Sequence, residues 1–118
     1  ELIDQCIERR TVRAVCALEN LLPIGIISYE PFIDNQKATI HLVCVLRFLR
    51  RKKIGTELVK QVVERAKNRG IAQLELNVSS GNKNAQLFYD RLGFTKTYES
   101  FLFHRYARST HAPILDYT

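Results

Sequence analysis

Several things are scarce in this sequence, and each shortage closes off a class of protein. No apolar run among the 118 residues approaches the roughly 20 needed for a helix to cross a bilayer. No internal repeat and no low-complexity segment appears, so solenoid and fibrous architectures are set aside. No secretory signal opens the chain, which begins at Glu1 rather than methionine, and missing sequence ahead of Glu1 is an expectation this raises. Cysteine is limited to Cys6, Cys16 and Cys44, an odd number without metal-ligand spacing. Cys16 and Cys44 fall in apolar strand patterns and are expected to be small buried thiols, which points to a reducing compartment, the cytoplasm, and to no metal site. Acidic residues are outnumbered twelve to eighteen, leaving a net charge of +6. Such a balance fits a nucleic-acid surface, an acidic partner or an anionic cofactor. Aromatic residues are not interleaved with the basic run, as single-strand binding usually wants.

What is present is enough for one domain over residues 1–118, with a hydrophobic content of 46%. Leu2, Ile3, Cys6 and Ile7 have helical spacing and read as the end of a helix. Residues 11–19 alternate, with Val12, Ala14, Cys16 and Leu18 on one face, and predict a strand. A second strand is expected over 24–33, with Gly25 and Pro31 as irregular or edge positions, and a third over 38–46. Short turns between the three imply an antiparallel meander. A helix then begins around Gly55, carries Leu58, Val59, Val62, Val63 and Ala66 on one stripe, and stops at Gly70. The segment 71–78 reads as a strand with Leu74, Leu76 and Val78 on one face. Strand, helix and strand of this length make a right-handed βαβ crossover, so the third and fourth of these strands should be parallel. Asn82 or Asn84 caps a second helix with Ala85, Phe88 and Leu92 inward and Gly93 at its end. Two closing strands are expected over 94–98 and 101–106, and an irregular tail over 107–118. The fold class is α+β: a mixed central sheet with an antiparallel meander, a parallel crossover and helices packed on it.

The richest stretch runs from His41 to Ala66. The run Leu42-Val43-Cys44-Val45-Leu46 is expected as a strand buried on both faces. Arg50-Arg51-Lys52-Lys53 follow, then Ile54-Gly55-Thr56 at the helix start. A helix N-terminus presents unpaired N–H groups and the positive end of its dipole, and with cations around it such a junction holds phosphate. Much of the chain's positive charge falls between Arg47 and Lys67 and is explained this way. The segment Arg50-Arg51-Lys52-Lys53-Ile54-Gly55 resembles the pyrophosphate signature of the GNAT superfamily of acetyl-CoA-dependent N-acetyltransferases, Arg/Gln-x-x-Gly-x-Gly/Ala. Lys53 stands where that signature has its first glycine. The segment from Asn82 through Ala85, Phe88 and Tyr89 to Gly93-Phe94 is similar to the family's Asn-x-x-Ala-x-x-φ-Tyr-x-x-x-Gly-Phe, φ being apolar.

The resemblance implies a GNAT-like acyltransferase fold, short by about one strand and one helix at its N-terminus. Either sequence is missing there or another chain, as in a homodimer, completes the sheet edge. It implies acetyl-CoA as cofactor, with Arg50, Arg51, Lys52, Lys53, Ile54, Gly55 and Thr56 on the pyrophosphate. Lys53 must keep a negative φ or accept about 1 kcal/mol for the left-handed region. In the family the strand bulges and splays near Val43 and Val45, whose backbone pairs with the pantetheine arm. Asn82, a helix cap on its own showing, also bonds the pantetheine by resemblance. Tyr89, otherwise an amphipathic core tyrosine, would protonate the leaving thiolate, at small cost if its pKa is the usual ~10. The general base is less defined. Thr39 occupies the place of a frequent family glutamate and cannot serve. His41, two residues on and on the same face, has suitable chemistry, with Glu30 and Glu75 as weaker alternatives or water as a relay. Asn77 stands where some peptide-acetylating members have glutamate. The acceptor implied is a small-molecule or peptide amine attacking directly, since no cysteine is expected at the thioester. A module that holds acyl-CoA without turnover, and a nucleic-acid-binding domain, are the competing readings.

Overall fold

Alternating apolar residues in the first third of the chain and 3.6-residue periods after it sort the elements into a sheet and two helices. The computed structural model describes residues 2–6, 12–32, 36–46 and 53–114. In order these form β1 (Leu2–Cys6), β2 (Arg13–Glu19), β3 (Leu22–Phe32), β4 (Lys37–Val45), α1 (Ile54–Asn68), β5 (Gln73–Ser79), α2 (Lys83–Arg91), β6 (Thr95–Glu99) and β7 (Phe103–Ser109). They build one seven-stranded sheet of order β1-β2-β3-β4-β5-β7-β6. Only β4 and β5 run parallel, joined across α1; every other pairing is antiparallel. The α+β class, the meander and the parallel crossover are therefore as the sequence implies.

Both helices share one hydrophobic cluster on one side of the sheet. Leu58, Val59, Val62, Val63 and Ala66 of α1 pack with Val15, Ile27, Tyr29, Ala38 and Ile40 from β2–β4 and with Leu74, Leu76 and Val78 from β5. Full burial of a Leu or Val contributes about 1.5–3 kcal/mol, so this stripe is what fastens α1 to the sheet. Gly25 makes the fit close: a Cβ there would lie 3.1 Å from Ile54 Cγ2 and 3.2 Å from Leu58 Cδ1. A register shift opposite Ala17 and Leu18 leaves Ile24 as an extra residue beside Gly25. Pro31 lies past the last β2–β3 pair, Arg13 with Tyr29, and has a strand partner on one side only, Ala38 of β4. Gly70 and Gly93 both have positive φ, as helix stops do.

Four expectations are corrected. Leu2 to Cys6 is a strand: its backbone pairs in register with β2, and five residues cannot sustain a helix in isolation. On β2 the helix-facing residues are Val15 and Ala17, while Cys16 on the other face is only half-buried, because both helices lie on one side of the sheet. The inward stripe of α2 is Gln86, Tyr89 and Leu92, with Ala85 and Phe88 at its margin. The supposed tail is ordered at its start, for residues 107–109 belong to β7 and Thr110 Oγ1 donates to the Ile71 carbonyl at 2.6 Å. There Arg108, buried among apolar groups that push its guanidinium pKa down, donates to the carbonyls of Leu92 and Ala112 and lies 5.8 Å over the Phe94 ring.

Candidate active site

The central feature of the site is a parting of strands. β4 and β5 pair at Lys37–Gln73, Ala38–Leu74 and Thr39–Glu75 and no further. Just past Thr39 the β3–β4 register shifts: Tyr29 faces Ile40, Ser28 faces Leu42, and His41 is the extra residue of a bulge. From there to Val45, β4 pairs with β3 on one edge, and among the described residues no strand lies along the other. The expectation of a bulge and splay holds. The expectation of a strand buried on both faces does not, for Leu42 is 50% and Leu46 43% exposed, and Cys44 is exposed. The open edge uncovers what a neighbouring strand would have covered. Val43 and Val45 point to the helix side and remain half-buried against the core.

The N-terminus of α1 stands beside this opening. Lys53 is its N-cap, with φ 62 and ψ 21 and no side-chain cap. It therefore takes the left-handed conformation and accepts the cost of about 1 kcal/mol that a glycine would have avoided. Its carbonyl receives the Glu57 N–H at 3.0 Å, the first bond of the helix. Gly55, in the first turn, is where three elements meet: a Cβ there would lie 3.3 Å from Phe88 Cζ of α2 and 3.8 Å from Val45 Cγ2 of β4. Ile54 packs against the core and Thr56 follows in the same turn. Arg50, Arg51 and Lys52 lie outside the described residues.

α2 begins with a satisfied cap: Asn82 Oδ1 accepts the Ala85 N–H at 3.1 Å. Gln86 Nε2 donates to the carbonyls of Ser79 and Ser80 at 3.2 and 3.1 Å and so ties α2 to the end of β5. This side chain was not singled out by sequence reading, and a glutamine one position after the motif alanine carries no signal of its own. Tyr89 is only 8% exposed and meets Phe88 and Phe94 edge-on, with centroids 5.0 and 5.4 Å away. Burial pushes its phenol up to about 12. A phenol held above its usual ~10 gives up its proton to a thiolate less readily than an exposed tyrosine would.

On the face away from the helices, His41 Nε2 lies 3.1 Å from Glu30 Oε1. Glu30 stands opposite Thr39 on β3, and Glu75 stands opposite it on β5, engaged by Lys37 Nζ at 3.1 Å. Asn77 Oδ1 accepts from Arg105 Nε at 3.2 Å. Cys44 shares this outer face, its neighbour across the ladder being Ile26. Tyr89 belongs to the helix-side core, and His41 to the outer face just past the last β4–β5 pair. The contact between Glu30 and His41 could not be read from residues eleven apart without the register that aligns them. Among the described residues no cluster of His, Cys, Asp and Glu is suited to a metal, and no helix is long and apolar enough to cross a membrane.

Comparison with known proteins agrees with this geometry. The sequence model of the Acetyltransferase (GNAT) family matches residues 1–94. An uncharacterized N-acetyltransferase of Methanocaldococcus jannaschii is 39% identical over 85 residues, which are 68% of this chain and 37% of that protein. Among solved structures, PaiA N-acetyltransferase from Thermoplasma acidophilum, in complex with coenzyme A, superposes with a TM-score of 0.79 at 21% identity over 84% of this chain and 61% of its own. An acetyltransferase of Bacillus anthracis, in complex with acetyl coenzyme A, gives 0.77 at 20% identity over 88% and 65%. The chain thus spans well under two thirds of the first of these relatives and a little under two thirds of the other two. At such identities the structural likeness speaks for the fold, and with the match of the family model over most of the sequence, the chain belongs to the acetyltransferase (GNAT) family.

Proposed function

We propose that this protein transfers the acetyl group of acetyl-CoA to a primary amine by direct attack. The observation that carries the reading is the uncapped start of α1 beside the edge of β4 left open by its departure from β5. The residues present fit the cofactor. N–H groups of the first turn of α1, from Lys53 through Ile54 and Gly55 to Thr56, take the pyrophosphate, with Arg50, Arg51 and Lys52 adding charge. The backbone of β4 from Val43 to Val45 takes the pantetheine as a strand would, and Asn82 borders it. Acetyl-CoA supplies an activated thioester carbonyl.

The acceptor arrives from the outer face as a neutral amine. Its nitrogen bonds to the carbonyl carbon, the C–S bond breaks, and His41 accepts the proton that the new amide nitrogen loses. With its pKa raised, Tyr89 acts as a hydrogen-bond donor to the developing thiolate, and solvent completes the protonation. The products are the N-acetyl amide and free coenzyme A. Positioning of the two reactants accounts for most of the acceleration. Cys44 stands on the outer face and is not needed for the transfer. On this reading the protein works in a reducing, cytoplasmic setting, as three cysteines without disulfide or metal-ligand spacing imply.

A panel of small amines and amine-bearing peptides, assayed for thiol release from acetyl-CoA, tests the reading. Release with one or more amines is expected, undiminished in Cys44→Ser. Thermal stabilisation by acetyl-CoA with no release from any amine would favour a module that binds acyl-CoA without turnover.

A further inference from the structure

We propose that Glu30 is a positioning residue that fixes the tautomer of His41, so that Nδ1 is the atom that receives the proton from the attacking amine. The inference rests on the acetyltransferase reading above and names what makes His41 fit for its part in it.

The geometry is specific. His41 is the extra residue of the β4 bulge, so it has no single partner on β3. Its ring reaches instead to Glu30, which stands opposite Thr39, and Nε2 comes within 3.1 Å of Oε1. The Glu30 side chain is 18% exposed and that of His41 46%. The carboxylate is therefore the sheltered, fixed member of the pair and the imidazole the one open to an incoming molecule. A carboxylate can only accept, so the hydrogen resides on Nε2. In a neutral imidazole the lone pair is then on Nδ1. The pair lies at the last β4–β5 contact, Thr39–Glu75, where the acceptor must approach a thioester held along the open edge. Among the described residues of this face, Lys37 engages Glu75 and Arg105 engages Asn77. Ion pairs at the surface contribute little to stability, typically about 0–1 kcal/mol. Placement at the bulge gives this pair a role that stability alone does not.

In the proposed step the amine nitrogen bonds to the acetyl carbon and its proton passes to His41 Nδ1. The imidazolium is held by Glu30 through Nε2–H and later releases the Nδ1 proton to solvent. The coenzyme A thiolate leaves with the C–S electron pair.

Two measurements test this. Nitrogen chemical shifts of His41 in the unliganded protein above its titration should show hydrogen on Nε2, and Glu30→Gln should lose that preference whereas Glu30→Asp keeps part of it. With an amine from the panel, Glu30→Gln should lower kcat about tenfold or more with the KM for acetyl-CoA unchanged, in line with the loss of a group that orients a functional histidine. Glu30→Asp should restore part of it, and Glu30→Gln combined with His41→Gln should be no slower than His41→Gln alone. A parent histidine with its hydrogen on Nδ1, or losses that multiply in the double variant, would overturn the proposal. If no amine is turned over, the acetyltransferase reading fails, and the tautomer measurement still decides whether Glu30 sets His41.

Discussion

The two helices begin in different ways. α2 is closed by its own sequence: Asn82 caps the Ala85 N–H at 3.1 Å with ordinary negative φ. α1 begins on Lys53 in the left-handed region, without a side-chain cap, behind three further basic residues. One start satisfies its donors internally, and the other leaves them for something else while accepting backbone strain. A helix start of the second kind loses stability in the unliganded protein and recovers it when an anion arrives. The first turn of α1 lies against the middle of α2, where a Cβ on Gly55 would come 3.3 Å from Phe88 Cζ. What separates the two starts is the cap.

The largest test of this contrast is Gly55→Asp. A carboxylate placed against the phosphates should abolish stabilisation by acetyl-CoA, which at a hundredfold excess over Kd is about 2.7 kcal/mol for the parent. Each protein is melted with and without ligand, so the crowding against Phe88 cancels from the comparison. A shift of parental size would place the anion site elsewhere.

Tyr89→Phe sharpens the role of α2. Losing a hydrogen bond to a developing thiolate costs about 1.5–3 kcal/mol, read as a fall of about tenfold to a hundredfold in kcat with little change in KM. The same variant has a signature in alkali. Burial pushes the folded phenol up to about 12 from its ordinary 10.0, so the unfolded chain loses its proton first as pH rises. Stability from keeping Tyr89 neutral is whole below pH about 10 and is lost progressively toward 12, by about 3 kcal/mol. Denaturant melts between those pH values should show the parent losing that much more than Tyr89→Phe. Equal losses would mean that the hydroxyl is not held in the core.

Asn82→Ala removes the internal cap and should cost about 1 kcal/mol of stability, measured as a lower denaturant midpoint at unchanged slope. The acetyl-CoA response should be reduced far less than by Gly55→Asp. The smallest effect is expected of Lys53→Gly. Relief of about 1 kcal/mol of left-handed strain is offset in part by the greater freedom of glycine in the unfolded chain, about 0.5–1 kcal/mol. The unliganded variant should be equal or slightly more stable, and its acetyl-CoA response slightly smaller for loss of a cation. A clear destabilisation would show that Lys53 serves the helix rather than the ligand.

Much was legible where a signal is local. Leu58, Val62 and Ala66 mark the buried stripe of α1 by spacing alone, and Gly70 and Gly93 mark helix ends because each needs a positive φ. Asn82 could be named as a cap from its place ahead of Ala85. The readings that failed concern partners distant in sequence. Cys44 and Leu42 look like core in a run of apolar residues, yet they are exposed because β5 turns away after Glu75. Tyr89, not Phe88, is buried on α2, a difference of one position set by how the helix is rolled on the sheet.

By itself, the sequence determined the order of the elements from β2 onward, the parallel crossover and the two helix starts, because period, caps and turn residues act within a few positions of the chain. Tertiary structure alone decided where β4 leaves β5, which carboxylate meets His41, and how deeply Tyr89 is buried. Those depend on strand register and on desolvation by residues far along the chain, and neither is encoded in the spacing of any one segment.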